Sequence, residues 1–500
     1  MASRPEANPP KAAAMARAAA GFSATMSGLP DTAIPPPPGL RARPGNPSRR
    51  RPGAPAGMRC RRRRMSITQP LPTEGESMLV RLPYGQGHLA LNLPGQCTDV
   101  LLPKPAPALD DEFDAFTHAI THPTGAAPLA DLARGARRVC IVISDMTRPT
   151  PNHRLVPWLL RELQTAGRPQ VTVLVGTGSH QPHTPEQCRA LVQAVPDTWE
   201  LVSHDAYDTG VLVRVGDTAL GPVWLHRAWV EADLRVVTGF IEPHFFAGYS
   251  GGGKGIMPGV AGIDTILSFH SARLIGDTGT TWLQLAGNPT QQAVVEAVEL
   301  CPPHFLVNVT LDDRQAITGV FAGHWRLAHA AGAAFCEAHA TVTAPATYPV
   351  VLVTNGGHPL DQNLYQTVKG MSAAARITRP GGSMVVASSC SAGLPEHGNF
   401  RNLLWEHDDA LRLLRSLPPG PARHDQWQAQ VLAEIVSAFP VYLYSQLARE
   451  DARRCWLRPV DDLEGLIPSL LAAYGPGARV AVLPRGPLAV PQLAAPDVTG

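Results

Sequence analysis

Lys254 stands directly behind three glycines, Gly251, Gly252 and Gly253, with His244 ten residues before it and His270 sixteen after it. Glycine has no Cβ, so such a run reaches positive φ without a clash and lets backbone approach a ligand closely. A lysine on that loop is held beside whatever the glycines embrace. Other chemistry-capable residues follow apolar runs: Asp145 and Arg148 in Asp-Met-Thr-Arg-Pro, His180 in Gly-Thr-Gly-Ser-His, and Gln366 with Lys369 after Asn355-Gly-Gly. Imidazole is the natural general base near neutral pH and the commonest metal ligand. Arginine's planar fork suits a carboxylate, and lysine serves as a point charge. Gln366 and Lys369, three apart in a helical pattern, share one face.

Each residue also has a plain structural reading. A lone histidine is usually structural or exposed, Asp145 with Arg148 makes an ordinary ion pair, and Gln366 with Lys369 makes a solvated helix face. His153, His183, His204, His226, His324 and His358 lack a partner pattern and read as surface or capping residues. Trp427, near the start of a helix, reads as core rather than site, with an aromatic wall over a substrate as the alternative. The histidine spacing matches no compact metal motif, so any metal here needs ligands from outside this set. Gly248 to Lys254 fits the opening of a phosphate loop, GxxxxGK, but Gly255 replaces the Ser/Thr that binds Mg²⁺. The preceding strand also ends too early for that cradle. A phosphate-loop nucleotide-binding protein is therefore a minor alternative.

These loops need a scaffold, and the chain offers one. Apolar β-branched runs alternate with helical patterns, which argues for parallel sheets covered by helices. Strands are expected at residues 138–144, 171–175, 234–238, 304–311, 349–354, 383–388 and 479–483. Helices are expected at residues 154–165, 185–192, 263–274, 289–300, 324–339 and 363–377. Three strands end in the polar loops just named, and ligands of open α/β sheets bind outside the carboxyl ends of strands. The expected architecture is two α/β domains with mainly parallel sheets, residues 78–345 and 346–485, with the active site in the cleft between them and a tail at 486–500.

The chain has 500 residues and a net charge of +2. Residues 1–77 hold 13 Lys/Arg against 4 Asp/Glu, a balance of 13 − 4 = +9, which leaves 30 − 37 = −7 for the remainder. This Pro/Arg-rich head has no periodicity, cannot bury enough apolar surface to fold, and is expected to be disordered. It reads as an upstream start in a GC-rich gene, with the working chain beginning near Met65 or Met78, rather than as a nucleic-acid or membrane arm. No apolar run approaches the roughly 18 residues of a membrane span. Eight cysteines occur without a CxxC pair, which argues against a disulfide framework and for a reducing, cytoplasmic compartment.

Together the motifs resemble those of the nickel-dependent lactate racemase family of 2-hydroxy-acid racemases and epimerases. They fall in the family's order: Asp145 to Pro149, Gly176 to His180, Glu242 to His244 with Gly251 to Lys254, His270, and Asn355 to Lys369. The resemblance runs from about Met78 to about Leu483. It implies a nickel pincer nucleotide, a pyridinium mononucleotide with two sulfur-bearing arms, tethered covalently to Lys254 as a thioamide. His270 is the implied Ni(II) ligand, completing a square-planar set suited to that ion. His180 and His244 are the implied acid/base pair for proton-coupled hydride transfer through a 2-keto acid. Arg148, Gln366 and Lys369 correspond to substrate-contacting positions, and Asp145 to a position near the cofactor. The implied partners are a small 2-hydroxy acid, lactate by default, and the cofactor-assembly enzymes. A catalytically silent sensor of the same family is the alternative from a different class.

Overall fold

The structure, a computed structural model, describes residues 77–494 apart from residues 168, 194, 195, 197 and 198. The basic head up to residue 76 and the last six residues of the expected tail lie outside the described residues.

Strands of a parallel sheet covered on both faces are buried along their whole length, which is why they read as continuous apolar runs. The first sheet follows from such runs. Its order is Ile317–Gly323, Phe305–Leu311, Leu234–Phe240, Arg138–Ser144, Gln170–Gly176 and Glu200–Ser203. Neighbours are parallel except at the Ile317–Gly323 edge. Side chains alternate between faces. Ile141 and Ile143 pack against Leu155 and Leu159 of the helix Asn152–Ala166. Cys140 and Val142 face the other way and meet Ile256, Met257 and Val260, which follow Lys254 directly. The lysine loop is thus pinned to the sheet by its own apolar tail.

The second sheet is parallel throughout, in the order Arg458–Pro459, Val441–Tyr444, Thr378–Ala387, Tyr348–Thr354, Val480–Leu483 and Thr98–Val100. Val351 and Val353 pack on Leu364, Val368 and Met371 of the helix Leu364–Ala375. Val350 and Leu352 pack on Leu82 and Leu93 of an antiparallel hairpin, Ser77–Tyr84 with Gly87–Pro94.

That hairpin changes the domain assignment. Residues 78–100, expected with the first unit, are hydrogen-bonded and packed into the second, because the alternating apolar positions of the hairpin cover the open face of its sheet. The expected tail is likewise partly structural: Val490–Leu493 pairs in parallel with Thr341–Ala344. The helix expected at 263–274 is interrupted, giving Ile263–Phe269 and Ala272–Ile275 with His270 as the C-cap of the first. The other expected strands and helices all form, most of them within two residues of their expected ends.

Leu82 is fully buried between hairpin and sheet. Truncating such a leucine costs about 2–5 kcal/mol, so Leu82→Ala should lower the urea midpoint of the whole chain markedly. A shift within the error of the wild-type curve would mean the hairpin is not part of that core.

Candidate active site

The parallel strands Arg138–Ser144, Gln170–Gly176 and Leu234–Phe240 end on one edge, so the loops after them converge. The second domain faces that edge with the helix Leu364–Ala375. The cleft between them is open to solvent at its mouth and encloses about 210 Å³. Asp145, Arg148, His180, His244, Gly251, Lys254, His270, Gln366 and Lys369 all line it. Gly252 and Gly253 do not face the cleft; they pack inward.

Their role is close packing. Gly251 (φ 74°) and Gly252 (φ 58°) turn the chain through left-handed backbone. A Cβ on Gly252 would stand 2.6 Å from the buried His329 ring. The Gly252 amide donates to Asn308 Oδ1 at 2.7 Å, and the short turn Gly252–Gly255 presents Lys254. The Lys254 ammonium lies 5.3 Å from the Phe246 ring centroid. Burial, together with the charges of Arg148 and Lys369, pulls its pKa down to about 7, with Glu242 opposing.

Two of the three histidines share one tautomer and the third has the other. Asp145, almost fully buried, accepts from His180 Nδ1 at 2.7 Å through Oδ2 and from Thr147 Oγ1 at 2.6 Å through Oδ1. Burial works against this carboxylate, but its bond with His180, the nearby charges of His180 and Arg148, and Thr147 together hold its pKa below the usual range. A carboxylate only accepts, so His180 carries its proton on Nδ1 and keeps the Nε2 lone pair free. His270 Nδ1 donates to the Ile266 carbonyl at 2.8 Å, which again leaves Nε2 as the lone-pair nitrogen. Burial is the main reason the His270 pKa falls to about 4. His244 is reversed: its Nδ1 accepts from the Phe246 and Ala247 amides at 3.4 and 3.3 Å, so its proton sits on Nε2. Burial, and then Lys254, Lys369 and Arg148, push its pKa well below the ordinary value.

On the second domain, buried Asn355 fastens the helix to the strand end before it. Its Nδ2 donates to Gln366 O at 3.1 Å and its Oδ1 accepts from Gly370 N at 2.9 Å, while Asn363 caps the helix through Gln366 N at 2.9 Å. Asp361 Oδ2 accepts from Gly85 N at 2.7 Å and Ser389 N at 3.1 Å, tying this loop to the hairpin. Lys369, depressed to about 8 by burial and by Arg148, is aimed into the cleft from here. Three cations beside one glutamate, Glu242, make a site that favours an anion.

Several contributors escaped the sequence. Trp427 reads there as core; it is buried, but it also lines the cleft, with its ring centroid 4.4 Å from that of His270. Tyr365 and Gln428 line the cleft too. Glu242 carried a usable signal, a charge between apolar Ile241 and Pro243. Among the histidines set aside, His204 is fully buried, with Nε2 bonded to Ala261 O at 2.9 Å. His226 is buried yet does cap, accepting from Ala228 N, and His183 accepts from Met146 N at 3.1 Å.

Comparison with known proteins follows the same outline. The family description Lactate racemase N-terminal domain matches residues 84–282, and Lactate racemase C-terminal domain matches residues 343–490. A lactate racemase of Thermoanaerobacterium thermosaccharolyticum is 32% identical over 417 residues, covering 81% of this chain and 97% of its own. One of Lactiplantibacillus plantarum is 34% identical over 382 residues, covering 75% of this chain and 90% of its own. The solved structure of the lactate racemase apoprotein from T. thermosaccharolyticum matches with a TM-score of 0.78 at 31% identity, over 83% of this chain and 100% of that one. A Thermotoga maritima protein, 16% identical with a TM-score of 0.55, shares the fold alone. With both domains matched in order and at least 90% of each named relative covered, the chain belongs to the lactate racemase family and is a racemase.

Proposed function

We propose that this racemase inverts C2 of a small 2-hydroxy acid, lactate by default, through a 2-keto acid, using a nickel pincer nucleotide bonded to Lys254 and held through nickel by His270. The observation that carries this reading is the meeting, in one cleft, of a lysine depressed to about 7 with a histidine whose Nε2 lone pair is fixed by its other nitrogen. A lysine of that pKa is substantially free amine at neutral pH, as a nucleophile must be. A histidine held through Nδ1–H to a carbonyl is the usual second-shell arrangement of a metal ligand. Among the described residues, no group of three or more His, Cys, Asp or Glu is placed to hold a metal ion. That suits a group bringing most of its own donors.

When bound, the nucleotide supplies the acceptor and donor for the C2 hydride. The remaining work falls to side chains. Arg148 and Lys369 hold the substrate carboxylate, and Gln366 helps fix its orientation; anion binding relieves the repulsion of Lys369 by Arg148. Positioning of this kind lowers the barrier by removing rotational freedom before the reaction. His180 takes the hydroxyl proton on Nε2, and ionised Asp145 stabilises the imidazolium that forms. His244 offers Nε2–H as a hydrogen bond to the substrate oxygen from the other side; to act as proton donor its ring would first take up a proton on Nδ1, because donation from the neutral ring would leave an imidazolate. For the other enantiomer the roles exchange, and His244 as base would carry its proton on Nδ1, so either role puts a proton on that nitrogen. The amide bonds opposing that proton, 3.3 and 3.4 Å long, lie beyond the usual range and are weak. Phe246 and Trp427 keep bulk water from the reacting centre.

Protein co-expressed with the cofactor-assembly enzymes should show added mass on the Lys254 peptide, contain nickel, and interconvert enantiopure lactate by chiral chromatography. Unmodified Lys254 together with absent nickel would sink the reading. In loaded protein, His270→Ala should release nickel. His180→Ala and His244→Ala should keep it and lose about 10²–10⁴-fold in turnover; wild-type turnover in either would exclude the two-histidine scheme.

The lysine makes a separate prediction on metal-free protein. Its amine is free above its folded pKa, so labelling by an amine-reactive reagent, followed by peptide mass spectrometry, should rise through pH 7. Ordinary surface lysines should respond only near pH 10. A Lys254 profile matching the surface lysines would contradict its depressed pKa.

A further inference from the structure

Trp427 is oriented by residues outside the set just described. Its indole Nε1–H donates to the Tyr365 hydroxyl oxygen at 3.2 Å, and the Tyr365 hydroxyl donates to Asp425 Oδ1 at 3.1 Å. The order of donors leaves one arrangement. An ionised carboxylate only accepts, so the single phenolic proton points to Asp425, and the lone pairs of the oxygen face the indole. Burial and the Asp425 charge keep that phenol protonated by raising its pKa well above the ordinary value.

Asp425 is itself held firmly. It is 6% exposed and adopts φ 64°, ψ 8°, left-handed backbone that aspartate tolerates better than most side chains. A Cβ on Gly398 would overlap its Oδ2, so the chain closes on the carboxylate from that side. Gln428 Nε2 fixes the backbone of Tyr365 through its carbonyl at 2.5 Å. At the far end, the Trp427 ring packs on His270 with 4.4 Å between centroids and 42° between planes, while Phe246 meets the same imidazole edge-on at 88°.

We propose that Asp425 and Tyr365 are positioning residues that set the Trp427 indole against His270 and so fix how that imidazole faces the cleft. The proposal rests on the reading of His270 as nickel ligand. The bond to Ile266 sets the tautomer of His270 and anchors one point of its ring, and the tilt of the ring about that anchor is limited by the packing of Trp427 and Phe246. Trp427 supplies the broad face against which that ring rests.

Substitutions at Asp425 separate the backbone from the hydrogen bond. Asp425→Gly keeps left-handed backbone at no steric cost but removes the acceptor. Asp425→Asn keeps both, since asparagine tolerates the conformation and its carbonyl accepts from Tyr365. Tyr365→Phe removes the middle of the chain. Two readouts apply to the full-length protein. One is the Trp427 indole N–H resonance in metal-free protein, assigned by its loss in Trp427→Phe. The other is nickel retained per Lys254-modified chain after dialysis against a chelator. Asp425→Gly and Tyr365→Phe should both shift the resonance and weaken nickel retention about 10–100-fold, the usual effect of losing an outer partner of a metal ligand. Asp425→Asn should restore most of both. An unmoved resonance and full retention in Asp425→Gly would overturn the proposal, because backbone conformation would then be all that Asp425 contributes. So would an Asp425→Asn protein as impaired as Asp425→Gly beside a silent Tyr365→Phe. If wild-type protein carries no nickel, the racemase reading fails, and the resonance alone decides whether Asp425 orients the indole.

Discussion

Arg148, Lys254 and Lys369 bring like charge into one partly buried cleft, and much of the architecture follows from holding it there. Burial first, and Arg148 after it, bring Lys254 down to about 7, where Lys369 adds to the effect, and Lys369 down to about 8; burial and then all three cations push the His244 pKa well below its ordinary value. No single element could carry all three cations at the required separation. Arg148 leaves one sheet, Lys254 rides a loop pinned to the same sheet, and Lys369 comes from the facing domain. Parallel strands ending on a common edge are the arrangement that brings such loops together without threading the chain through the core.

A cleft that depends on charges from two domains needs those domains held in register. Several bonds cross the seam. Trp282 Nε1 donates to Ser372 Oγ at 3.1 Å, Arg376 reaches Thr281 Oγ1 at 3.3 Å, and Gln430 Nε2 donates to Ala272 O at 3.0 Å. The last bond bears directly on the site, since Ala272 begins the short helix two residues after His270. Pre-formed geometry of this kind spares the reorganisation that a flexible site would require at each turnover. The hairpin Ser77–Tyr84 with Gly87–Pro94 contributes from a distance: its tip, through Gly85 N, helps fix Asp361 and with it the loop that leads to Gln366.

The sheets were legible because buried parallel strands must be apolar throughout, and runs such as RVCIVIS or PVVLVT have few other uses. The polar loops were legible because glycine, histidine and charge placed at strand ends are costly unless they do something there. What escaped the sequence depended on partners far away in the chain. The alternating pattern of the first hairpin does not announce which sheet it covers, and it covers the second. The helix expected at 263–274 is interrupted at His270, because that ring bonds back to Ile266 and turns its other nitrogen toward the cleft. Trp427 has the composition of a core residue and is one; only its contact with His270 makes it a wall of the site as well.

His180 and His244, proposed as the acid/base pair, raise a physical question. An enzyme acting on both hands of a substrate needs two proton-transfer groups, yet identical groups in identical states would compete for the same proton. Here the polypeptide distinguishes them by what it offers each Nδ1. Asp145 presents a carboxylate to His180, which favours a free lone pair and later an imidazolium. The turn after His244 presents amide N–H groups instead, which favour a neutral ring with its proton already facing the cleft. The carboxylate bond is short and charged, and the amide bonds are long, so the first arrangement is stiff and the second yields. One histidine is therefore set by a strong bond, and the other by weak bonds that can be given up. Under the proposed scheme, that difference makes His180 the resting base and His244 the ring whose protonation can change.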